Sequence, residues 1–398
     1  MRRLTEKTLV LPVTLPAEIA VRILYVSEVQ WLSQVSRKHQ FVRRMPRNWD
    51  ILFLAPVNAR PGENSLITRR DAANPNVRFR SLLLPKPDAA TPLARAVSQI
   101  GSGVGFAGLG RAMSGFRPDV LVTSYIWGVP ALRRAKALGI PVVYDCNDLH
   151  PDFYPRHAVA AEHTFRQVIE LAAEVVSSSQ RLKDICGRGV VVGNGADLAT
   201  FTGREQGAVP GPIADSPVAA RSKLVTYVGS IDRRLDFGII EAVARAGAEG
   251  NYGLVLVGRV YEEARADVES LKNRFPEHVL FTGLVSYDKL PPYLSSASVG
   301  IVPFVLSDRT AAINPNKLYM YAAMDENIVS TPFSDDVTRY GDLVYIESGP
   351  DDFARAVNDA LHNEERRVVM RERIAVANDW DAKAREFISV LESVSESA

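Results

Sequence analysis

The stretch Asn314 to Thr331, Asn-Pro-Asn-Lys-Leu-Tyr-Met-Tyr-Ala-Ala-Met-Asp-Glu-Asn-Ile-Val-Ser-Thr, places a cation where a helix is expected to begin. Pro315 suits an early helical position, Asn314 or Asn316 can cap, and Lys317 then stands at the mouth of the helix. A helix N-terminus beside an ammonium attracts phosphate oxygens, so a nucleotide diphosphate would sit here. The plainer alternative is a crossover helix with a solvated lysine. A second group, Asp145-Cys-Asn-Asp-Leu-His-Pro-Asp152, gathers three carboxylates and an imidazole, groups able to move a proton. Asn147-Asp148 also suits a turn, and a loop histidine such as His150 is often simply exposed.

Both groups need strands to position them. Val299 to Phe304 and Ile328 to Thr331 are expected as buried parallel strands flanking the Lys317 helix, and Pro141 to Tyr144 as the strand that delivers Asp145 to Asp152. Further strands are expected at Arg22 to Ser27, Ile51 to Pro56, Val77 to Leu84, Asp119 to Ser124, Val175 to Ser178 and Gly189 to Val192. In the second half they fall at Lys223 to Val228, Gly253 to Val257, Val279 to Thr282 and Leu343 to Ile346. Amphipathic helices alternate with them: one through Trp31, Val35, Phe41 and Val42, then Val129 to Leu138, His157 to Ala173, Gln180 to Cys186, Leu235 to Ala246 and Asp288 to Ala297. Asp351 to Leu361 and a long closing helix over Arg366 to Val394 end the chain. This alternation predicts an α/β protein with two Rossmann-like, doubly wound domains facing a central cleft. The expected divisions are 1–203, a Gly, Pro and Ala rich linker at 204–221, 222–375, and a closing helix over 376–398 that packs back toward the N-terminal domain.

Residues 1 to 20 are expected to be an irregular extension. The first strand leads into Glu28-Val-Gln-Trp-Leu-Ser33 with no Gly-rich fingerprint, which argues against a nicotinamide or flavin dinucleotide there. Ala90 to Phe116 is apolar and interrupted by Gly101, Gly103 and Gly105, so it is expected as a core helix or a broken helical hairpin. Its basic flanks also allow a membrane-contacting patch together with Arg43, Arg44, Arg47 and Trp49.

The chain has 398 residues, 46% hydrophobic and 23% charged, enough for two full cores. Its net charge of +1 hides a split: residues 1 to 200 hold 26 Lys and Arg against 16 Asp and Glu, whereas 201 to 398 hold 21 against 30. The basic half suggests an anionic partner, such as a phospholipid surface or a lipid phosphate, or simply solvated charge. Two cysteines, Cys146 and Cys186, give neither a disulfide framework nor metal-ligand spacing. Without a signal peptide core or an 18-residue apolar run, the expected place is the cytoplasm, with the inner face of the cell membrane as a peripheral site.

Val142-Val-Tyr-Asp-Cys-Asn-Asp148, Val192-Gly-Asn-Gly-Ala-Asp197, Tyr227-Val-Gly-Ser-Ile-Asp232, Val255-Leu-Val-Gly-Arg259, Phe281-Thr-Gly-Leu-Val-Ser-Tyr-Asp-Lys-Leu-Pro291, Gly300-Ile-Val-Pro-Phe304 and the Asn314 stretch follow one another over about 350 residues. In this order they resemble the GT-B glycosyltransferases, specifically the family-4-like group with teichuronic-acid and exopolysaccharide transferases. The resemblance implies a UDP- or GDP-sugar on the C-terminal domain, an acceptor on the N-terminal one and no metal. A cell-surface polysaccharide or lipid-linked oligosaccharide is the implied acceptor, and nucleic acid is not expected. Donor contacts are then expected from Gly229, Ser230, Arg233, Arg234, Gly258, Arg259, Asn316, Lys317, Tyr319 and Met320. Glu28, Trp31 and His150 are expected on the acceptor side. The sequence departs from retaining members, where two glutamates fall at the positions of Ala312 and Met320, and a Gly-Lys-Pro turn at Asp325-Glu326-Asn327. Similar losses occur in inverting exopolysaccharide glucuronosyltransferases, which carry a catalytic aspartate after the strand matching Val142 to Tyr144. Asp148 is accordingly the expected general base. A soluble small-molecule acceptor, a nucleotide-sugar epimerase and a non-catalytic GT-B subunit are the competing readings.

Overall fold

A computed structural model describes residues 20–58, 61–85, 92–201, 208–363 and 367–397; the expected N-terminal extension lies outside them apart from Ala20. The first half is built on strands β1 (Arg22–Val26), β2 (Asp50–Pro56), β3 (Arg69–Arg70), β4 (Val77–Leu82), β5 (Val120–Thr123), β6 (Val142–Cys146), β7 (Glu174–Ser177) and β8 (Val190–Val191). They join in the order β3-β4-β2-β1-β5-β6-β7-β8, and β3 alone is antiparallel to its neighbour. The second half holds β9 (Lys223–Val228), β10 (Tyr252–Val257), β11 (Val279–Gly283), β12 (Val299–Val302), β13 (Asn327–Ser330) and β14 (Tyr345–Ile346), all parallel, in the order β11-β10-β9-β12-β13-β14. The central strands are near-continuous Val, Ile and Leu runs because helices cover both faces, as in β1, β10 and β12, where Ile23, Val255 and Ile301 are fully buried.

Strand order reverses once in each sheet, between β1 and β5 and between β9 and β12. Helices leave opposite faces on either side of such a point, which opens a crevice above the strand ends. Those two crevices position the site described below.

Several elements differ from expectation. Trp31 lies in a loop, not on a helix: the helix starts only at Arg37, behind the Ser36 cap, and runs to Arg44. Pro92–Phe116 is one helix, unbroken by its glycines. A Cβ at Gly105 would stand 2.1 Å from the Leu83 carbonyl oxygen, so glycine there lets the helix touch the chain following β4. Leu109 and Met113 are buried in the core under this helix. A helix over Arg265–Arg274 was not anticipated.

The expected linker contains a short helix, Gly211–Ala214, whose Ile213 joins the C-terminal core. The closing segment is not one helix. It winds through Arg367–Met370, a wide turn at Arg371–Ala375 and a tight one at Val376–Asn378, then straightens at Asp379 before Trp380–Glu396. The break is made from outside: Ala196 donates to the Asn378 carbonyl at 2.8 Å and Trp380 donates to the Ala196 carbonyl at 2.9 Å. The last helix then packs on the first half, where Phe387 stacks on Phe41 at 4.3 Å and Trp380 meets Phe41 edge-on.

Candidate active site

At the C-terminal crevice, β9 ends in Gly229-Ser230 and β10 in Gly258-Arg259. Gly229 (φ +145) and Gly258 (φ +156) adopt backbone conformations that favour glycine, and a Cβ at Gly258 would fall 1.8 Å from the Gly229 carbonyl oxygen. The two turns therefore stack backbone on backbone, tied by Gly229 N–H to Val257 O at 2.9 Å. Tyr227 supports them from below, donating to the Ser230 carbonyl at 2.8 Å.

The helix Asn316–Ala323 begins beside these turns. Pro315, not an asparagine, occupies its cap. Asn314 instead accepts from the Asn194 N–H at 3.0 Å, and its carbonyl accepts from the Asn194 side chain at 2.7 Å, which joins the two halves. Lys317 lies against the Gly229 turn, with Nζ 4.5 Å from the Phe304 ring centre and 5.2 Å from that of Tyr227. Burial, reinforced by Arg234, pushes its pKa down to about 7, with Asp232 opposing. Arg234 is held by Asp232 in a two-pronged pair, at 2.9 and 2.6 Å, and that pairing raises its pKa against the effect of burial. Asn316 is exposed, as is Arg259, which stacks over Tyr261 at 5.0 Å.

Two expected donor contacts sit elsewhere. Tyr319 is fully buried on the far side of the helix, donating to Asn314 at 3.1 Å, and Met320 is in the core at 7% exposure. Two residues along a helix is about 200° of rotation, which turns Tyr319 away from the face that carries Lys317.

Across the cleft, the crevice between β1 and β5 is closed by Glu28, which accepts from Ser124 at the end of β5 and from Lys38. Lys38 also donates to the Asn147 side chain at 2.9 Å, and Asn147 donates to Asp148. His150 is buried, hydrogen-bonded through Nδ1 to the Tyr144 hydroxyl at 2.9 Å, with Nε2 3.9 Å from Glu28. Burial would raise the Glu28 pKa, but Lys38 and His150 pull it below the usual carboxylate range. Asp148 goes the other way: burial raises its pKa, only partly offset by His150, Lys38 and Arg234. It is thus a half-buried carboxylate with a strengthened hold on a proton, within the electrostatic reach of an arginine on the opposite domain. Asp145 is fully buried and structural, accepting from Arg37 at 2.9 Å and Tyr25 at 2.7 Å.

The structure thus gathers Gly229, Ser230, Arg234, Gly258 and Lys317 on one wall and Glu28, Asp148 and His150 on the other. Trp31 is not among them. At 3% exposure it packs on Phe53 and Phe79 and donates to Asp71 at 2.8 Å, so it supports the core. Arg37, Lys38 and Ser124 are not among the expected site residues, and Asn147 was expected only in a turn. A signal existed for two of them: basic residues in the first turn oppose the helix dipole, so Arg37 and Lys38 straight after Ser36 imply partners that hold them there. Among the described residues no group of three His, Cys, Asp or Glu is placed to hold a metal ion, and no helix is long and apolar enough to cross a membrane.

No family model matches the chain. A protein of Bacillus subtilis called "Putative teichuronic acid biosynthesis glycosyltransferase TuaH" is 25% identical over 271 residues, covering 62% of this chain and 66% of that protein, a little under two thirds of its length. Among solved structures, a sucrose-phosphate synthase from Thermosynechococcus elongatus superimposes with a TM-score of 0.76 at 16% identity, covering 95% of this chain and all of that one. A UDP-forming α,α-trehalose-phosphate synthase from Burkholderia vietnamiensis gives 0.67 at 14% identity, covering 94% and 97%. HepE of Anabaena, in complex with UDP and glucose, gives 0.67 at 12%, covering 94% and 100%. The expected fold is therefore present: two Rossmann-like halves in the GT-B arrangement.

Proposed function

We propose that this chain is a glycosyltransferase that takes a sugar from a nucleotide-sugar donor. One observation carries the reading: the two switch-point crevices lie on either side of one cleft, with Lys317, Arg234 and stacked glycine turns on one wall and the half-buried carboxylate of Asp148, whose pKa burial raises, on the other. The UDP complex among the structural neighbours supports a nucleoside diphosphate as the donor's leaving group, and a relative named for teichuronic acid biosynthesis supports sugar transfer.

In this reaction the acceptor hydroxyl oxygen attacks the anomeric carbon while Asp148 removes its proton, and the bond from that carbon to the diphosphate oxygen breaks. The released diphosphate takes the electron pair. Lys317, Arg234 and the backbone N–H groups at the start of the Asn316 helix neutralise it, so the chemistry asks for no metal. Attack from the face opposite the diphosphate inverts the anomeric centre. Lys38 and Glu28, locked together through Ser124 and Asn147, fix the loop that carries Asp148.

A polysaccharide or lipid-linked acceptor at the inner membrane surface fits the basic excess of residues 1 to 200. Flotation with anionic vesicles at low salt tests that part, and a chain that stays wholly in solution removes it. Thermal shifts with UDP, GDP and their sugars test the donor. A ligand at one hundred times its Kd should stabilise the fold by about 2.7 kcal/mol. No shift with any of them would sink the transferase reading.

A further inference from the structure

A cavity of about 320 Å³ opens between Pro151, Asp152, Pro155 and Ala158 of the first half and Val305, Ser307, Arg309 and Thr310 of the second. That is room for one sugar unit. Three guanidinium groups line it: Arg233, Arg234 and Arg309. Their carboxylate partners do not match them. Asp232 is committed to Arg234, and Asp308, next to Arg309 in sequence, pairs at 3.5 Å with Arg181 on the other half. Arg233 reaches a backbone carbonyl, that of Asp152, at 3.2 Å. The Arg309 guanidinium is held over the Phe153 ring at 4.5 Å, and its Nη1 is buried with no hydrogen-bond partner among the described residues. Among the described residues that line the cavity, Asp152 is the one acidic residue.

Like charges gathered around a cavity, with a buried donor left unmet, are unfavourable until an anion supplies the missing acceptor. Burial and the neighbouring arginines lower the Arg309 pKa, a measure of that repulsion, yet a guanidinium remains charged at any physiological pH. Pro151 and Asp152 follow Asp148 by three and four residues, and Arg234 is shared with the proposed diphosphate wall, so the cavity adjoins the proposed reacting centre.

We infer that this cavity is an oxyanion subsite in which Arg309, with Arg233, takes a phosphate or carboxylate group carried by one of the two reacting sugars. Guanidinium forks suit both groups because each presents two oxygens in one plane. The inference rests on the transferase reading and narrows its substrates to those with an anionic sugar.

Titration calorimetry on the full chain tests it in two arms. The first compares UDP-glucuronate with UDP-glucose, for an anion on the donor. The second compares glucose 6-phosphate with glucose at saturating UDP, for an anion on the acceptor. In at least one arm the charged member should bind about tenfold more tightly, since a hydrogen bond to a charged group is worth roughly that much or more. Arg309→Gln should remove that preference, Arg309→Lys should restore part of it, and both should bind UDP as the unaltered chain does. Equal binding of charged and neutral members in both arms, or a preference that survives Arg309→Gln, overturns the inference while leaving the transferase reading intact. Failure of both UDP and GDP to bind the unaltered chain overturns both.

Discussion

Asp148 and Lys317 are opposite cases of the same cause. Burial penalises whichever form carries charge, so it raises the carboxylate's pKa and lowers the ammonium's. For Asp148 the consequence is a stronger base. Activity requires its deprotonated form, so turnover should fall as pH drops, and the fall should begin above the ordinary aspartate value of about 3.9. Asp148→Asn should abolish turnover, keep UDP binding, and leave the melting temperature unchanged or higher because a buried charge has gone. Retained turnover would remove Asp148 from the role. Lys317, at a pKa of about 7, is largely neutral in the free protein at pH 8.5, and a bound diphosphate should draw a proton onto it. UDP affinity should then weaken about tenfold per pH unit above 7. Calorimetry at pH 8.5 in buffers of different ionisation enthalpy should report close to one proton taken up, and none in Lys317→Met. Buffer-independent heats would defeat the assignment. Lys317 was legible in the sequence because helix-start residues surround it. The pairing of Lys38 with Glu28 was not, since it depends on which strand ends lie side by side, and only the sheet order decides that.

Among the elements, the strands were the most legible, because parallel strands covered on both faces leave continuous apolar runs. The glycine motifs were visible as well, though not their purpose. Gly195 permits the chain crossing from the last segment, since a Cβ there would stand 2.4 Å from the Asn378 carbonyl oxygen. Gly258 permits the stacked turns. Gly258→Ala should therefore destabilise the fold by at least about 1–3 kcal/mol from backbone strain alone, with the collision against Gly229 added, and should weaken UDP binding. Gly105→Ala makes a useful contrast, since its collision with Leu83 lies under the Pro92–Phe116 helix: it should cost stability and spare UDP affinity. Equal UDP loss in both would show that the turns have no special part in donor binding. The break at Asp379 was illegible. Arg366 to Val394 has unbroken helical periodicity, and the bonds that open it come from Ala196, about 180 residues earlier.

For the whole molecule, the two sheets follow from the alternation of strands and helices, and the return of the closing helix to the first half was expected, although the packing that secures it is encoded by no local pattern. Phe387 stacks on Phe41 in nearly parallel planes, 4° apart, and lies in one core with Trp31, Phe53, Trp380 and Leu391. The C-terminal segment thus completes the hydrophobic core of the N-terminal half. Removing this ring should cost about 3–5 kcal/mol, the usual loss for a buried Phe→Ala exchange. The loss should fall on the half that the ring packs against. In Phe387→Ala, denaturant unfolding should separate into two transitions, the earlier one belonging to the first half, and UDP should still shift the later one because its proposed crevice lies in the second sheet. An unsplit transition at the original midpoint would mean that the crossing helix is dispensable. A single transition moved to lower denaturant would mean that the two halves unfold together, with the Asn194–Asn314 junction coupling them as tightly as either core holds itself.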